Sequence, residues 1–211
     1  MKILVTGFEP FNNATMNPSE LILEELQTPL GVTLIKEVLP VEFVASTKRV
    51  QELLKKHQPD AVLSLGQAGN RPEICVERVA INLDNVRSSN GQSERPDNAG
   101  AAPVDMIIAE DGESAYFTTL PVWEMVEAIQ EAGINGAVSY TAGTYVCNHV
   151  MYTLLYEAAK HYSKMKAGFI HVPFLPEQIA ERKDNKMVFA MELSDMVKGV
   201  QAALEVLATV S

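Results

Sequence analysis

The sequence has few of the residues on which disulfide-stabilised or zinc-binding folds depend. Among 211 residues there are two cysteines and one tryptophan, and Cys75 and Cys147 are too far apart to form a Cys-x-x-Cys pair. This excludes a disulfide scaffold and a paired-cysteine zinc or thioredoxin-like site. We therefore expect a cytoplasmic protein in which each cysteine is a separate, reduced thiol.

Positive charge is also scarce. The chain has 17 basic and 27 acidic residues, a formal net charge of −10, which argues against a surface that neutralises nucleic-acid phosphates or anionic lipids. The apolar run at the N-terminus is short and is followed by charge and proline, so it resembles neither a signal peptide nor a membrane span. We expect no nucleic-acid partner and no membrane association.

What the sequence does have is the composition of a folded α/β protein. Hydrophobic residues make up 47% and charged residues 21% of the chain, close to the averages of globular domains. Short apolar runs alternate with helical patterns from end to end, which indicates crossover helices around a parallel sheet. We predict one domain over residues 1–211: an open, twisted, mainly parallel sheet with helices on both faces, a small hairpin and a flap loop.

The predicted elements follow from periodicity and from turn signals. Strands are predicted at residues 2–8, 33–40, 60–66, 74–83, 137–141 and 168–172, and helices at 18–26, 43–57, 122–132, 146–162 and 192–208. Residues 106–109 and 115–118, on either side of Asp111-Gly112, are predicted to form the hairpin. Residues 84–103 are polar and aperiodic, and we interpret them as an active-site flap.

One cysteine lies where nucleophilic chemistry would be favoured. Cys147 follows the strand at 137–141 and begins the helix predicted from residue 146. At a helix N-terminus the dipole favours a thiolate, and the free backbone N–H groups could hold a tetrahedral oxyanion. The alternative is that Cys147 is a small buried core residue. Cys75, inside a strand, is assigned to the core.

A cysteine nucleophile needs an imidazole within hydrogen-bonding distance, and the sequence offers four histidines. His149 is two residues from Cys147 and points to a different side of the same helix. His57 and His161 lie near helix C-termini, where histidines commonly complement the dipole. His171 lies near the carboxyl end of a strand, at the sheet edge where α/β sites assemble. We predict His171 as the partner, with a buried core histidine as the alternative.

An acid that orients the imidazole is indicated by its unusual surroundings. Glu77 is a carboxylate within a strand otherwise rich in valine and isoleucine. The alternative is an internal salt bridge between Glu77 and an arginine such as Arg78 or Arg71. The residue pattern leaves both roles open.

Several motifs, in one order, resemble the pyroglutamyl peptidase type I family of cysteine peptidases over nearly the whole chain. They are Thr6-Gly7-Phe8-Glu9-Pro10-Phe11, Asn17-Pro18-Ser19, Gly66-Gln67-Ala68-Gly69, Glu77-Arg78-Val79-Ala80-Ile81-Asn82, Ala115-Tyr116-Phe117-Thr118-Thr119-Leu120-Pro121, Ala142-Gly143-Thr144-Tyr145-Val146-Cys147-Asn148-His149 and His171-Val172-Pro173. By this resemblance the catalytic triad falls on Cys147 as nucleophile, His171 as general base and Glu77 as orienting acid.

The resemblance implies removal of N-terminal pyroglutamyl residues from peptides and amides through a thioacyl-enzyme, with no cofactor and no metal. It implies a cytoplasmic enzyme that is typically a homotetramer, with a dimer as the alternative. It also implies a lactam pocket, formed by Phe8, Phe11, Tyr145 and Val146, with Gln67 and Arg87 as polar contacts near the site. The alternatives are ordinary core positions and, for Arg87, a solvated loop position.

Three departures from the family pattern surround this pocket. Asn12-Asn13 stands where the family usually has Gly-Gly, Tyr145 replaces a phenylalanine, and residues 88–95 are interpreted as an insertion. They leave two other functions to consider: a non-catalytic lactam-binding homologue, and a thiol hydrolase of another small amide or ester.

Overall fold

A six-stranded sheet with helices on both faces forms the centre of the protein, in a computed structural model that describes residues 1–69, 71–88, 90–91, 94–180 and 188–209. The strands are β1 (Lys2–Phe8), β2 (Thr33–Leu39), β3 (Ala61–Gln67), β4 (Ile74–Glu77), β5 (Val79–Ile81), β6 (Ala115–Phe117), β7 (Gly136–Ser139) and β8 (Lys166–Val172). The helices are α1 (Pro18–Glu25), α2 (Phe43–His57), α3 (Val122–Glu131), α4 (Val146–Lys160), α5 (Pro176–Ala180) and α6 (Leu193–Thr209).

The strand order in the main sheet is β2-β1-β3-β8-β4-β7. Its pairs are parallel except β4 with β8, which is antiparallel. The predicted class, a mainly parallel sheet between helices, is therefore confirmed, although β4 and β7 run opposite to the other four strands.

Each face of the sheet carries its own hydrophobic core. Residues of α1, α3 and α6 pack on one face, and residues of α2 and α4 on the other. Because both faces are covered, β1 and β3 are apolar almost throughout rather than alternating. In the described part of the chain, no helix has the length and apolar character needed to cross a bilayer.

Local signals account for the well-predicted helix ends. The side chain of Asn17 accepts a hydrogen bond from the Ser19 N–H, 3.0 Å away, and Pro18 occupies the first turn of α1. Helix α2 ends at Gln58, whose φ of 48° is left-handed, and three basic residues in its last turn complement the dipole.

The predicted strand at residues 74–83 is wrong as one element. The backbone N–H of Arg78 donates to the Ser139 carbonyl of β7, and the Arg78 carbonyl accepts from Thr118. Arg78 therefore marks the point where the chain leaves the main sheet as β4 and enters a separate two-stranded sheet as β5. The alternation of side chains continued across this point because both segments are extended.

The predicted hairpin between residues 106–109 and 115–118 is also wrong. Strand β6 pairs with β5 instead, and Met106 forms an isolated bridge with Asp84. The backbone N–H groups of Ile108 and Ala109 donate to the side chain of Asn82, at 2.9 and 3.0 Å. The Asp111-Gly112 turn does exist, but one side chain, rather than a second strand, holds the segment before it.

Candidate active site

Cys147 is the second residue of α4, as the sequence predicts. Gly66 at the end of β3 gives the sulfur its space, because a Cβ atom there would lie 3.0 Å from the Cys147 Sγ and closer still to the Phe169 ring. The thiol is partly exposed, whereas Cys75 is buried. Burial raises the pKa of the Cys75 thiol, so Cys75 is the less reactive of the two.

The first turn of α4 presents backbone donors beside this thiol. The first hydrogen bond of the helix runs from the His149 N–H to the Tyr145 carbonyl, 3.1 Å away. The N–H groups of Val146, Cys147 and Asn148 precede it, so they have no acceptor within the helix. They are positioned to stabilise negative charge on a bound carbonyl oxygen.

His171 and Glu77 meet between the adjacent strands β8 and β4. His171 Nδ1 donates to Glu77 Oε1 over 2.7 Å. Glu77 is 0% and His171 4% exposed. Cys147 and His171 line the same cleft, and the charge of Cys147 acts on the imidazole. The structure therefore brings together the three residues that the sequence predicted as a triad.

The charges of these groups reinforce one another. Burial alone lowers the pKa of His171, but the charge and hydrogen bond of Cys147, followed by those of Glu77, raise it from 6.5 to about 9. Burial alone would raise the pKa of Glu77, but the hydrogen bond and charge of His171, then the Ser139 hydroxyl and the charge of Arg71, hold it below its usual value. At neutral pH the imidazole is thus positive and the carboxylate negative.

Arg71 also binds Glu77, so the salt bridge considered as an alternative to the triad coexists with it. Arg71 Nη1 lies 2.7 Å from the same Glu77 Oε1 that His171 contacts. The other candidate, Arg78, donates to the Thr118 carbonyl and lies over the Phe117 ring. Among the described residues, no three His, Cys, Asp or Glu side chains form a group that could hold a metal ion.

A cleft of about 1080 Å³ opens over Cys147 and His171. Five of the six predicted pocket residues line it: Phe8, Phe11, Gln67, Tyr145 and Val146. Phe8 and Val146 are also buried in the core. Arg87 is not part of the lining, and its guanidinium pairs with Glu94, 3.0 Å away. The predicted flap supplies other residues to the rim of the cleft.

The aromatic wall of the cleft is joined to the flap. The rings of Phe11 and Tyr145 are 6.3 Å apart, and the Arg95 guanidinium lies 4.0 Å from the Tyr145 ring centre and 5.6 Å from that of Phe11. The Tyr145 hydroxyl donates to the Pro96 carbonyl over 3.0 Å. The Tyr145 hydroxyl, for which the sequence alone offers no partner, is thus hydrogen-bonded. Of the segment 88–95, positions 89, 92 and 93 lie outside the described residues.

The Asn12-Asn13 turn and two further residues complete the rim. Asn12 and Asn13 have φ values of 56° and 60°, the left-handed conformation that asparagine tolerates better than most residues. Gln178 Nε2 donates to Gln67 Oε1 over 2.9 Å. Sequence reasoning missed Arg95 and Gln178 because each reaches the cleft from a loop or short helix whose position no local pattern specifies.

These features define a class: an α/β protein in which a helix N-terminal cysteine, a histidine and a carboxylate adjoin one cleft, as in thiol hydrolases. The sequence model of the pyroglutamyl peptidase family matches residues 1–210 of this chain. The chain is 46% identical over 208 residues to a pyrrolidone-carboxylate peptidase of Caldanaerobacter subterraneus subsp. tengcongensis, covering 98% of each chain. It is 45% identical to one from Streptococcus suis, over 97% of this chain and 91% of the relative.

Solved structures agree. Pyroglutamyl peptidase I from Bacillus amyloliquefaciens superposes with a TM-score of 0.90 at 39% identity, over 99% of this chain and 95% of that one. A mutant pyrrolidone carboxyl peptidase from P. furiosus gives 0.91 at 33% identity, over 100% of both chains. The chain belongs to the pyroglutamyl peptidase family.

Proposed function

We propose that this protein is a cysteine peptidase that removes an N-terminal pyroglutamyl residue from peptides and amides, with Cys147, His171 and Glu77 as its catalytic triad. The observation that carries the proposal is the hydrogen bond between His171 and Glu77, with Cys147 and His171 lining one cleft, in a member of this family. The reaction needs no cofactor, because every proton and bond change can be assigned to these side chains, substrate and water.

Acylation uses the ion pair of the resting site. The Cys147 thiolate attacks the carbonyl carbon of the pyroglutamyl residue, and negative charge moves to the carbonyl oxygen, next to the N–H groups that begin α4. As the C–N bond breaks, the His171 imidazolium gives its proton to the departing amine. The products of this half are a thioester on Cys147 and a neutral imidazole.

Deacylation reverses the role of the histidine. Neutral His171 takes a proton from water, whose oxygen adds to the thioester carbonyl. The C–S bond then breaks, which releases pyroglutamate and restores the thiolate and the imidazolium. Through both halves Glu77 accepts the Nδ1 proton of His171, which fixes the ring and stabilises its positive charge.

Substrate selection is assigned to the cleft residues. Phe8, Phe11, Tyr145 and Val146 offer apolar and aromatic surface to a flat lactam ring. Gln67, whose Oε1 already accepts from Gln178, would offer its amide nitrogen to a lactam oxygen. A proline ring would leave this polar group unpaired, which predicts discrimination against prolyl substrates. Arg87, paired with Glu94, is assigned to the flap near the site.

Location and assembly are further parts of the proposal. A cytoplasmic location is supported by two separate thiols and the absence of any paired-cysteine motif. A homotetramer, or a dimer, is what the family resemblance implies, and exposed large side chains such as Leu30, Val44, Phe117 and Trp123 are candidate contact residues. Sedimentation or light scattering of the purified protein tests the assembly.

The function is tested with three matched substrates: a pyroglutamyl amide, an alanyl amide and a prolyl amide with the same leaving group. We expect hydrolysis of the first alone, and loss of hydrolysis in Cys147→Ala but not in Cys75→Ala. Binding of the pyroglutamyl amide without turnover in the wild type would indicate a binding protein. Comparable turnover of all three would indicate a thiol hydrolase of different specificity.

A further inference from the structure

We propose that Arg71 is a positioning residue for the catalytic centre: its guanidinium holds Glu77 for His171 and ties that carboxylate to the loop that leads to Cys147. The inference rests on the proposed function, which assigns Glu77 and His171 their roles. Arg71 itself contacts neither the sulfur nor the imidazole in the described hydrogen bonds, so it would act through Glu77.

The contacts of Arg71 span the three parts of the site. Nη1 donates to Glu77 Oε1 over 2.7 Å and to the Ser139 hydroxyl over 2.8 Å. Nη2 donates to the Thr141 carbonyl over 2.8 Å. The Thr141 hydroxyl in turn accepts from the Gly143 N–H, 3.1 Å away. One planar group therefore connects β4, the end of β7 and the loop before α4.

The geometry at the carboxylate makes this support necessary. His171 and Arg71 both contact Oε1 of Glu77, whereas Oε2 is buried with no hydrogen-bond partner among the described residues. Without Arg71 the carboxylate would keep His171, the ring that it orients, and the nearby Ser139 hydroxyl, which Arg71 itself holds. Its torsion about the last side-chain bond would then be less well fixed.

Charge balance is a second, independent reason to assign this role to Arg71. Thiolate, imidazolium and carboxylate together carry one net negative charge in a largely buried cluster, and an unbalanced buried charge is costly. Arg71, whose side chain is 22% exposed, brings the sum to zero. Removing this positive charge disfavours the neighbouring carboxylate, so the pKa of the Glu77 carboxyl should rise.

The test compares the pH dependence of kcat/KM in wild type, Arg71→Gln and Arg71→Lys. The acid limb is the part of the pH profile in which kcat/KM rises with pH. In Arg71→Gln we expect this limb to lie about one pH unit higher, and kcat/KM at pH 6 to fall by about tenfold or more. KM should change less than kcat. Arg71→Lys keeps the charge but cannot reach Glu77 and the Thr141 carbonyl with one planar fork. The acid limb of Arg71→Lys should therefore lie close to its wild-type pH, whereas kcat should be recovered only in part.

Arg78 is the matched control. It adjoins the same strand, but its guanidinium donates to the Thr118 carbonyl and lies over Phe117. Arg78→Gln should leave the acid limb unchanged. If Arg71→Gln and Arg71→Lys lowered only the melting temperature or the folded yield, with the pH profile of the folded fraction unchanged, Arg71 would be a structural salt-bridge residue and the inference would be overturned.

A second measurement keeps the inference separate from the proposed function. The rate of alkylation of Cys147 by iodoacetamide, followed by peptide mass spectrometry, requires no substrate and distinguishes Cys147 from Cys75. In Arg71→Gln this rate at neutral pH should fall, because the carboxylate that orients the imidazole near the thiol is no longer anchored by Arg71. If wild type failed to hydrolyse a pyroglutamyl amide, the proposed function would fail, and this alkylation rate would still decide the role of Arg71.

Discussion

The charge of Cys147 should set the protonation state of His171, and Cys147→Ala tests this directly. In the wild-type site burial lowers the pKa of His171, but the charge and hydrogen bond of Cys147, then those of Glu77, raise it to about 9. Without the sulfur, only Glu77 opposes the lowering of the His171 pKa by burial. Glu77 is itself partly neutralised by Arg71, so the remaining support for the imidazolium is weak.

The size of the effect follows from the contact that is lost. An opposite charge in direct contact is worth about 1 to 3 pKa units, at about 1.4 kcal/mol per unit. We therefore expect the pKa of His171 in Cys147→Ala to fall to roughly 6 to 8, from the wild-type value of about 9. At mildly alkaline pH the ring should then be neutral in the variant and charged in the wild type.

NMR titration of ¹³C-labelled histidine measures this pKa. Because the chain has four histidines, the signal of His171 is assigned by its absence in His171→Gln. Cys75→Ala is the control, since Cys75 lies opposite His171 in the β4–β8 register as a neutral buried thiol, and its loss should not move the titration. A wild-type titration of His171 in Cys147→Ala would refute the ion-pair reasoning.

The same pKa gives the sign of the pH dependence at high pH. His171 carries its proton below a pH of about 9 and loses it above. Because the departing amine needs that proton, kcat/KM for a pyroglutamyl amide should decline as the pH rises through this value. A pyroglutamyl ester whose leaving group needs no proton should decline less, and equal declines for amide and ester would contradict the acid role.

Three other substitutions separate chemistry, binding and stability. Glu77→Gln should lower kcat by about 10²- to 10⁴-fold with KM within a few-fold and circular dichroism unchanged; an unchanged kcat would contradict the triad. Phe11→Ala should lower kcat/KM for pyroglutamyl substrates by about 10- to 100-fold, the loss of one aromatic face, while alkylation of Cys147 stays near wild type. A parallel loss of thiol reactivity would place Phe11 in the core instead. Asp84→Ala removes the 2.7 Å partner of buried His149 and should cost about 1 to 3 kcal/mol of unfolding free energy, measured in urea, with kcat retained; unchanged stability would show that water replaces this bond.

The parts of the fold that the sequence predicted best are those with strong local signals. The bounds of α2, Phe43–His57, follow from an apolar stripe, a basic last turn and the following proline. The predicted ends of β1 also agree with the structure. By contrast, the direction of β4 and β7 depends on the antiparallel pairing of β4 with β8, to which β7 is joined only through β4. That choice is decided by packing of whole elements, which leaves no mark on the strand sequences themselves.

Sequence reasoning also could not predict which side chains contact each other across the fold. The position of Cys147 could be inferred from a strand followed by a helix, and His171 from elimination among four histidines. The two candidate partners of Glu77 could not be ranked, because Arg78 is its neighbour and Arg71 is six residues before it, and neither spacing specifies which guanidinium reaches the carboxylate. Only the placement of the turn before β4 directs Arg71 to the carboxylate and leaves Arg78 over Phe117.

Asn12, Asn13 and Tyr145, interpreted from the sequence as departures from the family pattern, lie in one layer of the site. Asn12 and Asn13 form a left-handed turn at the rim of the cleft, and Tyr145 bonds the flap at Pro96. The triad lies below them, with Glu77 and His171 on strands whose neighbours fill both cores. Because loops hold the rim, whereas two strands and the start of α4 hold the triad, rim substitutions should act mainly on KM and triad substitutions on kcat. Tyr145 is the point where the two layers meet, since it is bonded to the flap and immediately precedes the helix that carries the nucleophile.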